Sequence, residues 1–269
     1  ALDENTSGAA NTAVGDHALD NNTTASSNTA VGYISLETNT TGQYNTAVGA
    51  ESLEANTTGS SNTAVGYTAL DANTTGEYNV GIGHGALGAS STGSNNISIG
   101  YGSLGNNSTA SNNTAVGHNA LHSNTTAQNN TAVGHGCLDA NTTGGENVGL
   151  GQATLGGNTT GSSNTGVGRQ ALTAATTGSY NTAVGKNAGS GITTGENNLC
   201  LGTDSGTANS PSGNITTGSH SVVLGSNNIT NLYCADTSIS SSDARDKTDV
   251  ENFTYGLSWI NELRPVTYR

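Results

Sequence analysis

Small, β-branched and polar residues recur along this chain with a fixed period of 17 residues. A typical unit reads Asn-Thr-Ala-Val-Gly, two variable residues, Ala-Leu, two more, then Asn-Thr-Thr-Gly and two linking residues. Repetition at a constant period is the signature of a stacked repeat architecture. Each unit predicts a short strand, a turn, a second short segment and another turn. The opening asparagines stand at 11, 28, 45, 62, 79, 96, 113, 130, 147, 164, 181 and 198.

Substitutions between units predict which columns are buried. The Thr column and the Val column of the strand both become fully apolar in other units, so we expect these two columns to face an apolar interior. The Leu column, which runs from Leu2 to Leu172, is expected to supply most of the core. The apolar replacements are Val80, Ile97, Val148 and Leu199 in the Thr column, and Ile82, Ile99, Leu150 and Leu201 in the Val column.

The residue between these two columns is always small, being Ala, Gly, Ser or Cys in every unit. Alternation along a strand places it on the opposite side from its neighbours. A face restricted to small residues indicates the close approach of another backbone, which favours contact between chains of a homotrimer; tight packing within one chain is the alternative. The glycine after the Val column occurs in all twelve units and predicts a backbone corner that a Cβ would obstruct.

The predicted fold class is all-β: a repetitive parallel β-solenoid of 17-residue coils, about 60 Å long for twelve coils at the ordinary strand spacing. We expect the solenoid over 1–202, a divergent end over 203–238, and a different domain over 239–269 with a short helix ended by Pro265. The first residues are in register with a later part of the repeat, so we expect the chain to begin inside a unit.

Charge and composition exclude several kinds of ligand. The formal net charge is −13 and no Lys or Arg precedes Arg169, which argues against nucleic acid as a partner. No apolar run approaches the roughly 20 residues of a membrane span, so no membrane insertion is expected. The scattered Cys137, Cys200 and Cys234 do not fit a disulfide framework or a zinc site, and we expect buried thiols.

Stacking of the repeats would turn exposed columns into rows. One acidic row contains Asp20, Glu37, Glu54 and Asp71 and resumes at Asp139; simple solvation and a divalent cation such as calcium are both open. The six Asn-Thr-Thr segments starting at 39, 56, 73, 124, 141 and 158 match an N-glycosylation acceptor pattern, but we favour hydrogen-bonded turns.

Two aromatic rows could stack on sugars or contact a partner protein, or else pack along the wall of the solenoid. The first contains Tyr33, Tyr67, His84, Tyr101, His118 and His135, and the second contains Tyr44, Tyr78 and Tyr180.

The segment near the C-terminus carries a separate motif. It reads Ser242-Asp243-Ala244-Arg245-Asp246-Lys247, followed by Gly256-Leu257 and by Leu263-Arg264-Pro265-Val266-Thr267-Tyr268. A Ser hydroxyl becomes nucleophilic when a nearby base takes its proton, and a Lys can do this once burial lowers its pKa. From these residues alone, a turn with solvated charges is equally open.

The C-terminal motif resembles the opening of the endosialidase-type intramolecular chaperones, which trimerise fibres and spikes and then release themselves. The resemblance implies cleavage between Ser242 and Asp243, with Ser242 as nucleophile, Lys247 as general base and Asp243 as the new N-terminal residue. The Asn-Thr-Ala-Val-Gly strand is similar to the head repeats of trimeric autotransporter adhesins, in which three β-rolls pack about an axis.

These observations favour a structural and adhesive protein, the shaft of an extracellular homotrimeric fibre in the tail of a bacteriophage virion. A host cell-surface receptor or glycan would be its partner, and the C-terminal chaperone would trimerise it and mature it by autoproteolysis. A cellular trimeric adhesin is the alternative. An enzyme acting on an external substrate would need a convergent cluster of acid and base groups, which the repeated columns do not offer.

Overall fold

The computed structural model describes residues 1–231, and this part of the chain contains thirteen parallel strands of three residues each. They form one sheet in strict sequence order, so each coil contributes one strand beside the strand of the next coil. The strands are β1 (Thr12–Val14), β2 (Thr29–Val31), β3 (Thr46–Val48), β4 (Thr63–Val65), β5 (Val80–Ile82), β6 (Ile97–Ile99), β7 (Thr114–Val116), β8 (Thr131–Val133), β9 (Val148–Leu150), β10 (Thr165–Val167), β11 (Thr182–Val184), β12 (Leu199–Leu201) and β13 (Val222–Leu224).

Hydrogen bonds between coils continue around the circumference, outside the strands. The amide of Leu36 donates to the carbonyl of Ser52 at 3.0 Å, and the amide of Thr40 donates to that of Thr57 at 3.0 Å. The sheet pairs each residue with the one 17 positions further along, as Thr12 pairs with Thr29. These bonds satisfy backbone groups of the turns, which would otherwise be costly to bury. The predicted all-β parallel β-solenoid is confirmed.

The interior of the solenoid is a column of stacked leucines. The predicted Leu column is fully buried from Leu19 to Leu172. Opposite it lies the middle residue of each strand, such as Ala30, Ala47 and Ala64, which is also fully buried. The Thr and Val columns point away from this core and are half-buried or exposed.

The prediction that the Thr and Val columns face the interior is therefore wrong, and the small column does not lie on an outer surface. The physical reason is the narrowness of a 17-residue coil, in which one Leu side chain fills the space under the strand. A Cβ added to Gly81 would lie 3.2 Å from Cγ of Leu70, which is closer than ordinary packing allows. The small residues face their own chain's core, so they no longer support contact with another chain.

The glycine that follows each strand forms the predicted corner. Gly32 and Gly49 have φ angles of +148° and +137°, which L side chains rarely adopt. A Cβ on Gly32 would also overlap the carbonyl of Gly49 in the next coil. Both effects require glycine at this column.

Two buried rows of asparagine connect the coils. In the row that opens each unit, Oδ1 of Asn45 accepts the amide of Asn62 at 2.9 Å, and Nδ2 of Asn45 donates to the carbonyl of Gly59 at 2.8 Å. In the Asn-Thr-Thr row, Nδ2 of Asn56 donates to Oδ1 of Asn39 at 2.8 Å and to Gly59 at 3.0 Å. The turn interpretation is confirmed. Asn39 and Asn56 are fully buried, so the folded solenoid does not present them for glycosylation.

The solenoid changes near its end. Gly189 replaces the core leucine, and Ile192 enters the core in its place, fully buried. The coil between β12 and β13 is six residues longer than the others.

Cys137 and Cys200 are buried thiols, as predicted. The predicted C-terminal helix, Cys234 and the motif from Ser242 onward lie outside the described residues. Over 1–231, no helix has the length and apolar character needed to cross a bilayer.

Candidate functional sites

The outer face of the sheet is an uncharged surface formed by the Thr and Val columns. Every outward residue of the thirteen strands is Thr, Val, Ile or Leu. The Val column is the more open of the two, with Val48, Val65 and Ile82 each 37% exposed. We call this surface the sheet face. Sequence reasoning missed it because the apolar replacements in these columns were interpreted as evidence of a core.

Five aromatic rings form a continuous row on the surface, directly after the corner glycines. Tyr67, His84, Tyr101, His118 and His135 stand one coil apart, with successive ring centroids separated by 5.1 to 5.2 Å. Tyr67 and Tyr101 are about half exposed. Rings at this spacing contact each other and still offer phenol and imidazole polar atoms to solvent. The row can therefore both pack along the wall and contact a ligand, so both predicted roles remain open.

The aromatic row continues into the two basic residues of the described chain. At the same 17-residue spacing, His135 is followed by Gln152, Arg169 and Lys186. The 17-residue spacing from His135 was the signal in the sequence that would have placed Arg169 and Lys186 in this row. The row thus offers aromatic and cationic groups in an otherwise acidic molecule.

The acidic row begins in a cluster with His17. Nδ1 of His17 lies 2.9 Å from Oδ2 of Asp20 and 3.8 Å from Oε1 of Glu37. The hydrogen bond with Asp20, followed by the charge of Asp16, raises the pKa of His17. One ligand atom from each of His17, Asp20 and Glu37 lies within 4.8 Å of the others, a donor set that could hold a cation.

Further along the row the carboxyl groups are partly desolvated. Burial raises the pKa of Glu54, and the neighbouring carboxylates Glu51, Glu37 and Asp71 raise it further. Burial is also the largest cause of the raised pKa of Asp71, whose Oδ1 is buried without a hydrogen-bond partner. Asp139 has a raised pKa for the same main reason. Ionising these carboxyl groups in the folded chain therefore costs free energy. A divalent cation bound along the acidic row stays a prediction.

The second candidate site is the C-terminal segment that contains Ser242 and Lys247. Residues 242–269 match the model of the family described as chaperone of endosialidase. No curated protein and no solved structure matches the chain significantly. The matched segment contains Ser242, Asp243 and Lys247, whose roles in cleavage stay predictions.

The structure shows a β-solenoid repeat protein, and its C-terminal residues 242–269 match the chaperone-of-endosialidase family. This combination fits a fibre-like structural protein.

Proposed function

We propose that this chain is the structural and adhesive shaft of an extracellular homotrimeric fibre of a bacteriophage tail. The observation that carries the proposal is a stack of coils running through β13, followed closely by residues 242–269 that match the chaperone of endosialidase. Coils that each contact only their neighbours provide length, and the hydrogen bonds around the circumference provide stiffness. The aromatic row and the exposed tyrosines supply groups suited to contact a receptor or glycan on the host.

The placement in a virion is tested by labelling. Antibodies raised against the shaft and coupled to gold would be applied to virions and to bacterial cells free of phage. We expect labelling of thin fibres at the virion tail. Labelling of the envelope of phage-free cells instead would support the cellular adhesin and overturn the phage assignment.

The maturation step of the proposal is self-cleavage between Ser242 and Asp243. The Lys247 amine would take the proton of the Ser242 hydroxyl, whose oxygen would attack the carbonyl carbon of the Ser242–Asp243 bond in a neighbouring copy, because attack on its own carbonyl would close a strained four-membered ring. As the C–N bond breaks, Lys247 would give the proton to the Asp243 nitrogen, and water would hydrolyse the resulting ester. A version of the protein that includes the complete chaperone would be expressed and its chain masses measured. We expect two fragments from the parent and one uncut chain from Ser242→Ala and from Lys247→Arg.

The neighbouring Ser241→Ala variant is the matched control and should be cut like the parent. Identical masses for the parent and the Ser242→Ala variant would contradict the cleavage assignment. That result would leave the fibre proposal intact, since assembly and cleavage are separate steps.

A further inference from the structure

The sheet face is an uncharged surface that runs through all thirteen strands and has no partner among residues 1–231. Each of the thirteen strands contributes two outward residues, which gives twenty-six side chains in two straight columns. A stable protein interface takes about 20–30 residues from each side. Contiguous exposed apolar surface of this extent marks an interaction site on a soluble protein.

We infer that the sheet face is the contact surface between copies of this chain, with the sheet faces of three parallel chains meeting around an axis that follows the stack. The inference rests on the proposed trimeric fibre and deepens it by naming the surface that closes the trimer. In this arrangement the Thr and Val columns face the trimer axis. From the sequence alone, the small residues between these columns are instead predicted to contact the other chains.

Charge supports a second copy as the occupant. The chain has a net charge of −13, so most surfaces would bring carboxylates together if two copies met. The outward residues of β1–β13 carry no charge. The acidic row follows the core leucines, on a different part of the coil from the strands. The sheet face thus lets copies meet without burying like charges. The Asn-Thr-Thr turns are also uncharged, but they present Thr and Ser hydroxyls, whereas the sheet face presents mostly Val, Ile and Leu.

The uneven distribution of apolar residues along the face supports a parallel arrangement in register. In most coils the outward pair is Thr with Val, but in β5, β6, β9, β12 and β13 both outward residues are apolar, as in Ile97 and Ile99. Threefold symmetry about the stack axis places each coil at the height of the same coil in the other copies. Apolar pairs then meet apolar pairs, whereas a slipped or antiparallel arrangement would oppose them to Thr hydroxyls.

Exposed tyrosines border the face on both sides. Tyr44 and Tyr78 stand two residues before a strand and are 64% and 59% exposed, while Tyr67 and Tyr101 stand two residues after one. Tyr is enriched among the residues that dominate interface energies. Their positions place them at the rim of the contact surface and not at its centre, so contact between copies leaves the aromatic row open to a ligand on the host.

The test is sedimentation equilibrium of the full chain, compared with a variant that places charge on the face. Val48→Glu, Val65→Glu and Ile82→Glu would be combined in three successive coils. The matched control combines Thr58→Glu, Thr75→Glu and Thr92→Glu, three exposed positions in the same coils but on the Asn-Thr-Thr turns. We expect three chain masses for the parent and the control, and one chain mass for the face variant, all with the same far-ultraviolet circular dichroism.

A milder variant keeps the test decisive if the charged one does not fold. Val48→Thr, Val65→Thr and Ile82→Thr use a residue that the same strands already carry outward, at Thr46 and Thr63. We expect at least a tenfold rise in the concentration at which the trimer dissociates. A trimeric parent with unchanged mass and affinity in both face variants would overturn the inference and leave the trimer standing. A monomeric parent would overturn both the inference and the proposed trimer.

Discussion

At the scale of single residues, two side chains share a fixed volume in the core: the middle residue of a strand and the residue that precedes the core leucine of the coil before it. Where the strand carries Gly149, the residue before the core leucine is Cys137, and a Cβ on Gly149 would lie 2.5 Å from the Cys137 sulfur. Where the strand carries Gly166, a Thr154 methyl fills the space, at 2.6 Å from an added Cβ. Other coils have Ala at both positions, as in Ala132 with Ala120 and Ala183 with Ala171. The strand residue and the residue beside the leucine thus compensate for each other.

This compensation predicts a coupled pair of substitutions. Gly149→Ala should destabilise the shaft by about 1–3 kcal/mol because it overpacks the site against Cys137. Adding Cys137→Ala should restore most of the loss, since the site then has the Ala pair of other coils. Thermal unfolding of the parent, both single variants and the double variant measures the coupling. Additive effects of the two substitutions would show that the two sites do not share one space.

The asparagine rows predict a large effect from a single polar side chain. Asn62→Ala removes the acceptor of the Asn79 amide and the donor to the Gly76 carbonyl, both of which are buried. Each orphaned group costs about 1–3 kcal/mol. We expect a lower denaturation midpoint than for Thr75→Ala, an exposed position in the same coil that should change stability by less than about 0.5 kcal/mol. Equal midpoints for these two variants would contradict the role of the row.

At the scale of the coil, one repeat on its own would be strained. Within a single coil Glu51, Leu53 and Ser61 all have positive φ angles between 53° and 60°. A left-handed conformation of a residue other than glycine costs about 1–2 kcal/mol. The coil is held in this shape by its hydrogen bonds and core contacts with the coils on either side, so the solenoid is stable only as a stack.

Stacking predicts that whole units can be removed but parts of units cannot. Deletion of 45–61 removes one period and brings Asn62 beside Asn28 with every column still aligned. We expect a folded shaft with a slightly lower midpoint. Deletion of 45–62 takes away one residue more, so the asparagine row is interrupted and the following strand is offset by one position, which exchanges its inner and outer faces.

Circular dichroism and resistance to limited proteolysis would compare the two deletions. The 45–62 deletion should melt at a markedly lower temperature and be cut faster. If both deletions behaved alike, the alignment of columns would not be what stabilises the stack.

At the scale of the whole molecule, acidic charge makes stability depend on pH. The pKa values of Asp71 and Glu54 are raised in the fold, so their contribution to stability is present below the unfolded pKa of about 4 and is lost as the pH rises through the raised values. The raised pKa of His17 acts in the same direction, since its stabilising charge is lost as the pH rises through that value. We expect the denaturation midpoint to increase from pH 7.5 down to about pH 4.5.

Asp71→Asn should raise the midpoint at pH 7.5 and flatten its dependence on pH, because it removes a partly buried ionisable group. Glu77→Gln removes one charge outside the acidic row and serves as the control for net charge. Urea denaturation across this pH range measures both. A midpoint that falls on acidification from neutral pH, with the same profile in Asp71→Asn, would contradict the assignment.

How much of the architecture was readable from the sequence differs between columns. The corner glycines and the leucines were identified correctly because each column needs a single property, a positive φ or apolar bulk. The Thr and Val columns were assigned to the wrong side, because replacement of Thr63 by Val80 in the next unit is equally consistent with a core and with an apolar outer face. Whether these columns lie in the core or on the outer face depends on what they pack against in the folded chain, which their composition does not specify.

The sequence by itself determined the period, the parallel order of the coils and the chaperone motif, since each depends on residues that recur or cluster along the chain. Only the tertiary structure decided which side of the strand is inside. In a coil of 17 residues the leucine leaves room for nothing larger than Ala, Ser or Cys beneath the strand. The bulkier Thr, Val and Ile are thereby directed outward, where they form the sheet face.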